Sequence, residues 1–158
     1  MKINSAQEAL FVACEMERGA IQLYERSLML LSSLGREKEP LRAHLASMLA
    51  DEKQHLLQFQ ELYTGLEASV EEQLALSAVA SSVLFDGGLM GAVRQGLLQD
   101  ERSMLSFAAN AEQTAAATYR GFSEQSDDPH ASEMLTGIAL EEDKHLKTLR
   151  EHLASLEV

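Results

Sequence analysis

Two stretches of the chain pair a glutamate with a histidine three residues later: Glu52 with His55 in DEKQHL, and Glu142 with His145 in EEDKHL. Positions i and i+3 share one face of a helix, so both side chains of such a pair can reach a common centre. With 19 Glu and 5 His in 158 residues, chance supplies about 0.6 such pairs, and one alone would mean little. Here there are two, each inside an apolar row. The rows are Leu41, Leu45, Met48, Glu52, His55, Phe59, Leu62 and Ala131, Leu135, Ile138, Glu142, His145, Leu149, His152, Leu156. Steps alternating between four and three trace the stripe that a helix buries against its neighbours.

Two more rows carry one glutamate each: Leu10, Cys14, Glu17, Ile21, Tyr24, Leu28, Leu31, and Met90, Arg94, Leu97, Glu101, Met104, Ala108. An ionised carboxylate in an apolar interior is costly unless it is paired or bound to metal. Four carboxylates at one depth would repel each other, and two imidazoles are too few to neutralise them. Two divalent cations match the charge. Carboxylate oxygen with imidazole nitrogen suits iron or manganese and accommodates zinc. The candidate ligands are therefore Glu17, Glu52, His55, Glu101, Glu142 and His145. The same residues also allow a metal-free bundle with protonated or hydrogen-bonded acids.

Other residues have a functional and a plain role to weigh. Tyr24 can hydrogen-bond a ligand carboxylate or serve as a core aromatic whose hydroxyl needs a partner. Asp51 and Glu141, just before the paired glutamates, can orient a histidine across the bundle or face solvent. Cys14 reads as a packed small hydrophobe. His44 and His130 read as surface residues, and His152 as too far along its row to join the centre.

Four long helices are expected to position these groups. The first opens at Ser5, with Glu8 at capping-box spacing, and runs to about Leu34 before Gly35. The second starts at Pro40, a residue suited to a first helical turn, and runs to about Tyr63 before Gly65. The third follows Gly87–Gly88 and continues unbroken to about Phe122. The fourth starts at Asp128–Pro129 and reaches about Leu156. Short turns make the first two and the last two into antiparallel hairpins. Between the hairpins, residues 66–86 are long enough, at 1.5 Å per helical residue, to return along a whole bundle. Two hairpins and a long crossover containing a short helix make a single all-α domain, a four-helix bundle of the ferritin-like arrangement. The halves show a weak repeat: MERGAIQLYE at Glu17 against DERSMLSFAA at Glu101, and DEKQHL against EEDKHL.

Composition agrees. Nine Gly and two Pro leave little punctuation for an all-β fold. One Cys excludes a disulfide framework and a four-cysteine metal site. A net charge of −12 argues against a nucleic-acid groove binder. No apolar run has the length of a membrane span, and the N-terminus lacks the apolar stretch of a signal peptide, so a cytoplasmic protein is expected. The first segment has a second apolar line, Val12, Met16, Gly19, Leu23 and Leu30, which predicts cover by the crossover or by a second subunit, in a homodimer.

In Glu17 with Tyr24, Glu52/His55, Glu101 and Glu142/His145, the whole chain resembles the rubrerythrin and bacterioferritin branch of the ferritin-like di-iron carboxylate superfamily. The resemblance implies two iron ions, with Glu17 and His55 terminal on one, Glu101 and His145 terminal on the other, and Glu52 and Glu142 bridging. It also implies reduction of hydrogen peroxide or dioxygen, with an external electron donor. Ferroxidase activity with iron handling is the bacterioferritin-type alternative, and a non-enzymatic metal-binding bundle is a third. The chain departs from rubrerythrins in having Met104 one turn after Glu101, Phe107 and Ala108 where a tyrosine is expected, and no rubredoxin-type cysteines.

Overall fold

The computed structural model describes residues 1–35 and 39–157 and is all-helical across them. Helix α1 spans Ala6–Ser33, α2 Glu39–Leu62, α3 Ala68–Ala80, α4 Gly88–Arg94, α5 Glu101–Gln125 and α6 Pro129–Ser155. The Ser5 hydroxyl accepts from the Glu8 N–H at 3.2 Å, while the Glu8 carboxylate turns back to the Asn4 N–H at 2.8 Å. Asp128 accepts from the His130 N–H at 2.9 Å and the Ala131 N–H at 3.4 Å, and Pro129 opens α6 where no N–H is needed. These starts agree with the sequence signals.

The third expected helix is two helices. Gly96 adopts φ +75°, a left-handed conformation open mainly to glycine, and ends the short α4. A capping box at Asp100 and Ser103 then starts α5 afresh. The row read through Met90 and Arg94 does not exist as a buried stripe, since both side chains are exposed.

Cross-helix hydrogen bonds fix the directions. Gln7 near the start of α1 meets Leu62 at the end of α2, and Ser32 meets Arg42 at the other end. Ser123 meets Ser132, and Arg102 meets the Leu156 carbonyl, so α5 and α6 are antiparallel as well. The two hairpins join along α1 with α5 and α2 with α6. Both of these pairs also run antiparallel, because Glu17 meets Tyr119 where Tyr24 meets Glu112, and Asp51 meets His145 where His55 meets Glu141.

The crossover packs on α1 through α3 and α4. Val12, Met16 and Leu23 of the second apolar line are buried within one chain, while Gly19 is exposed and Leu30 half-buried. The core falls into two apolar clusters. One gathers Leu10, Phe59, Tyr119, Phe122 and Leu135; the other gathers Tyr24, Leu31, Leu45, Met104 and Leu149. A polar layer lies between them. Among the described residues, no helix is long and apolar enough to cross a membrane.

Candidate metal centre

The polar layer consists of Glu17 from α1, Glu52 and His55 from α2, Glu112 from α5, and Glu142 and His145 from α6. None is more than 6% exposed. They form two overlapping groups, Glu17, Glu52, His55, Glu142 and Glu52, Glu112, Glu142, His145. Within each group, one ligand atom per residue lies within 4.8 Å of all the others. Glu52 and Glu142 belong to both.

The histidines show which of their atoms face the middle. His145 Nε2 donates to Asp51 Oδ2 at 2.9 Å, and His55 Nε2 donates to Glu141 Oε2. That leaves both Nδ1 atoms turned inward. His145 Nδ1 lies 2.9 Å from Glu52 Oε1, 3.1 Å from Glu142 Oε2 and 3.4 Å from Glu112 Oε1. His55 Nδ1 lies 3.3 Å from Glu142 Oε1 and 3.7 Å from both Glu52 Oε2 and Glu17 Oε2. Both Nδ1 atoms, with Glu17 Oε2, Glu52 Oε1 and Glu142 Oε2, are buried without a hydrogen-bond partner. Orphaned buried polar atoms are expensive, and here they converge on one space. Such a set fits divalent cations, which would satisfy these atoms together.

Burial pushes the Glu17 carboxyl well above the usual range, with the Glu52 charge adding to it. Burial does the same to Glu112, with the Glu142 charge adding. At Glu52, burial acts upward too, but the neighbouring Glu17, His145 and His55 outweigh it and hold the group below its usual value. Burial would lower both imidazoles, yet the carboxylates around them push both well up: Glu142, Glu17 and Glu52 at His55, and Glu112, Glu142 and Glu52 at His145. Without a cation, then, protons hold the cluster together.

The tyrosines cross between the hairpins. Tyr24 donates to Glu112 Oε1, and Tyr119 donates to Glu17 Oε1 at 2.7 Å. Both hydroxyls are buried, and burial raises both well above the usual phenol range, so they remain donors. Tyr24 therefore meets the expectation of a carboxylate partner. Asp51 and Glu141, each with a side chain 52% exposed, do reach across to a histidine of the opposite hairpin.

One expected ligand is displaced. Glu101 is the first residue of α5, eleven positions before Glu112, which at 1.5 Å per residue puts it about 16 Å along the helix axis from the cluster. The tyrosine expected near Phe107 and Ala108 stands instead at Tyr119. Two signals mark the true position. Stepping on from Glu101, Leu105 and Ala108 along the same face reaches Glu112, and the spacing from Glu112 to Tyr119 repeats that from Glu17 to Tyr24. The hairpins thus match with an offset of 95 residues for the Glu–Tyr pair and 90 for the Glu–His pair, since Glu17 becomes Glu112 and Glu52 becomes Glu142.

Beside the centre, a groove between α2 and α6 is lined by Gln58, Leu62, Glu133, Met134 and Gly137 and reaches Glu141. Two turns away in the other direction, His44 Nδ1 and His152 Nε2 approach to 2.7 Å. No family model, curated protein or solved structure matches this chain.

Proposed function

We propose that the chain is a ferritin-like four-helix bundle of rubrerythrin type that holds two iron ions and reduces hydrogen peroxide, or dioxygen, with electrons from an external donor. In the proposed bundle, α1, α2, α5 and α6 are the four helices, and α3 with α4 form the crossover. The carrying observation is the pair of overlapping ligand groups that share Glu52 and Glu142 and leave five inward-facing atoms unpartnered. Four carboxylates and two neutral imidazoles carry a charge that two divalent cations cancel, and one glutamate from each of two helices with Glu-x-x-His from each of the others is the ligand set of di-iron and di-manganese bundles.

Bound iron would supply the two electrons that peroxide reduction consumes and the positive charge that stabilises developing oxygen anions. The chain's own residues set the conditions. Glu17 and His55 serve one position, Glu112 and His145 the other, and Glu52 and Glu142 face both. Asp51 and Glu141 hold each histidine in the tautomer whose Nδ1 is free to ligate. Tyr119 holds Glu17 by Oε1 and leaves Oε2 facing His55, while Tyr24 holds Glu112 by Oε1, the oxygen that also faces His145. The apolar clusters on either side keep bulk water from the layer.

The test is anaerobic Fe(II) titration followed by one equivalent of hydrogen peroxide or dioxygen. Two irons per chain, reoxidised faster by peroxide, is the expected result. A chain that binds no transition metal would leave a metal-free bundle. A second reading, iron handling with Fe(II) as substrate, is favoured by the groove, where Glu133 and Glu141 would draw cations toward His55. Faster reoxidation by dioxygen, turnover of many irons per chain and a cage-sized mass in solution would mark it.

A further inference from the structure

His44 and His152 belong to neither ligand group, and nothing in the proposed peroxide chemistry uses them. They lie on the α2/α6 seam, two turns from the centre and on the same antiparallel register as Asp51 with His145. His44 is exposed and His152 half-buried, so the pair opens to solvent. Their rings are 5.0 Å apart between centroids and tilted by 60°. Nitrogen faces nitrogen at 2.7 Å.

The repeat provides an internal comparison. An offset of 90 residues relates His44 to Met134 and Leu62 to His152. The other half of the molecule therefore fills the equivalent place with Met134 and Leu62, which line one groove and pack on one core cluster. Two apolar side chains suffice for packing at this point of the seam. The imidazoles are not needed to close the bundle.

Two neutral imidazole nitrogens that face each other can share only one proton, so one ring must donate and the other accept. A cation satisfies both. Two ligands about 2.0–2.1 Å from one ion and at right angles to it stand about 2.9 Å apart; this pair has a similar nitrogen separation but faces along one line, as in an N–H···N hydrogen bond, and a turn of each ring at this solvent-open position brings both lone pairs onto one ion. Right-angled imidazole ligation, with the remaining positions open to water, is the geometry of Cu(II) and Ni(II), and Cu(II) heads the affinity order. Burial and the neighbouring His44 hold the His152 imidazole below its usual range, against a smaller upward pull from Glu101 and Glu151, so the ring keeps a lone pair for a cation.

We propose that His44 and His152 form a separate mononuclear site for a late divalent transition metal, Cu(II) above all, at the solvent-exposed end of the α2/α6 seam. The probe is Cu(II) itself, added to the full chain and followed by stoichiometry and electron paramagnetic resonance. The wild type should bind one more Cu(II) than His44→Met/His152→Leu, a variant that copies the pair packed in the other half. That additional copper should give a tetragonal spectrum coupled to two nitrogens. Each single substitution should weaken it at least tenfold, and His130→Ala should leave it unchanged. Equal stoichiometry and equal affinity in wild type and double variant would overturn the site.

A second measurement needs no variant. Substoichiometric Cu(II) should broaden the imidazole resonances of His44 and His152 before those of His130, and broadening of His130 first would count against the pair. Loss of the buried centre would remove other equivalents and leave this one, so the two proposals fail separately.

Discussion

At Glu112 and Glu101 the chemistry separates two residues of the same type on the same helix face. Glu112 is buried among Glu52, Glu142 and His145 and accepts from Tyr24, whereas Glu101 stands at the helix start. Glu112→Gln should therefore lower bound metal from two ions per chain toward one, and Glu101→Gln should leave two; metal analysis after loading reads both. Asp51→Ala and Glu141→Ala remove the acceptors that orient His145 and His55, and each should weaken metal binding 10–100-fold, measured by competition with a chelator of known affinity. The direction of pH dependence follows from the cluster's protons. Burial and neighbouring charge keep Glu17 and Glu112 protonated at higher pH than usual, and the carboxylates keep His55 and His145 protonated likewise. Ligation requires the unprotonated forms, so loading releases protons and apparent affinity falls as pH falls. Titrations in buffers of different ionisation enthalpy should register that release. Glu52, His55, Glu142 and His145 were legible in the sequence because their i, i+3 spacing is local. Glu112 shares its face with Glu101 and repeats the Glu17–Tyr24 spacing with Tyr119, but which of the two glutamates is deep depends on where α5 begins.

The elements owe their limits to single residues. Asp128 caps α6 with two backbone donors, and Asp128→Ala should cost about 1 kcal/mol. In a chain of this size that lowers Tm by roughly 2–4 °C, visible in thermal denaturation, with metal stoichiometry unchanged. Gly96 is the joint that separates α4 from α5. Its φ is +75°, which strains any L side chain there, while the nearest atom to an added Cβ is the free end of the exposed Gln99 side chain, which can move aside. The caps at Ser5 and Asp128 and the stop near Gly35 could be found from sequence, since each acts on its own first or last turn. The break at 95–100 is masked in the sequence because apolar residues at helical spacing continue through it, from Leu89 to Leu97 and Leu98. Apolar spacing is also what a short helix covering the outside of α1 requires.

Over the whole molecule, the polar layer divides the apolar interior in two, and what fills that layer decides how firmly the halves are joined. A ligand that binds only the folded state stabilises it by about 2.7 kcal/mol when its free concentration is a hundred times Kd. Chelation should therefore lower Tm by roughly 5–10 °C, and re-addition of Fe(II) or Mn(II) should restore it. An unchanged melting curve would mean that no cation spans the layer. Leu23 is buried within the single chain beneath the crossover helices. Leu23→Glu places an unpaired charge there and should destabilise the fold at every protein concentration, a result that separates internal cover from a subunit interface.

The amino-acid order by itself determined the helical class, the two Glu-x-x-His pairs, Glu17 with Tyr24 and the crossover helix, because periodicity, caps and i, i+3 spacing are short-range properties. Only the tertiary structure decided that Glu112 completes the cluster, that Tyr119 mirrors Tyr24, and that Asp51 and Glu141 each hold the histidine of the opposite hairpin. Those pairings join residues 86 to 102 positions apart. They depend on the level at which one helix meets another, and that level is set by the turn from which each helix starts.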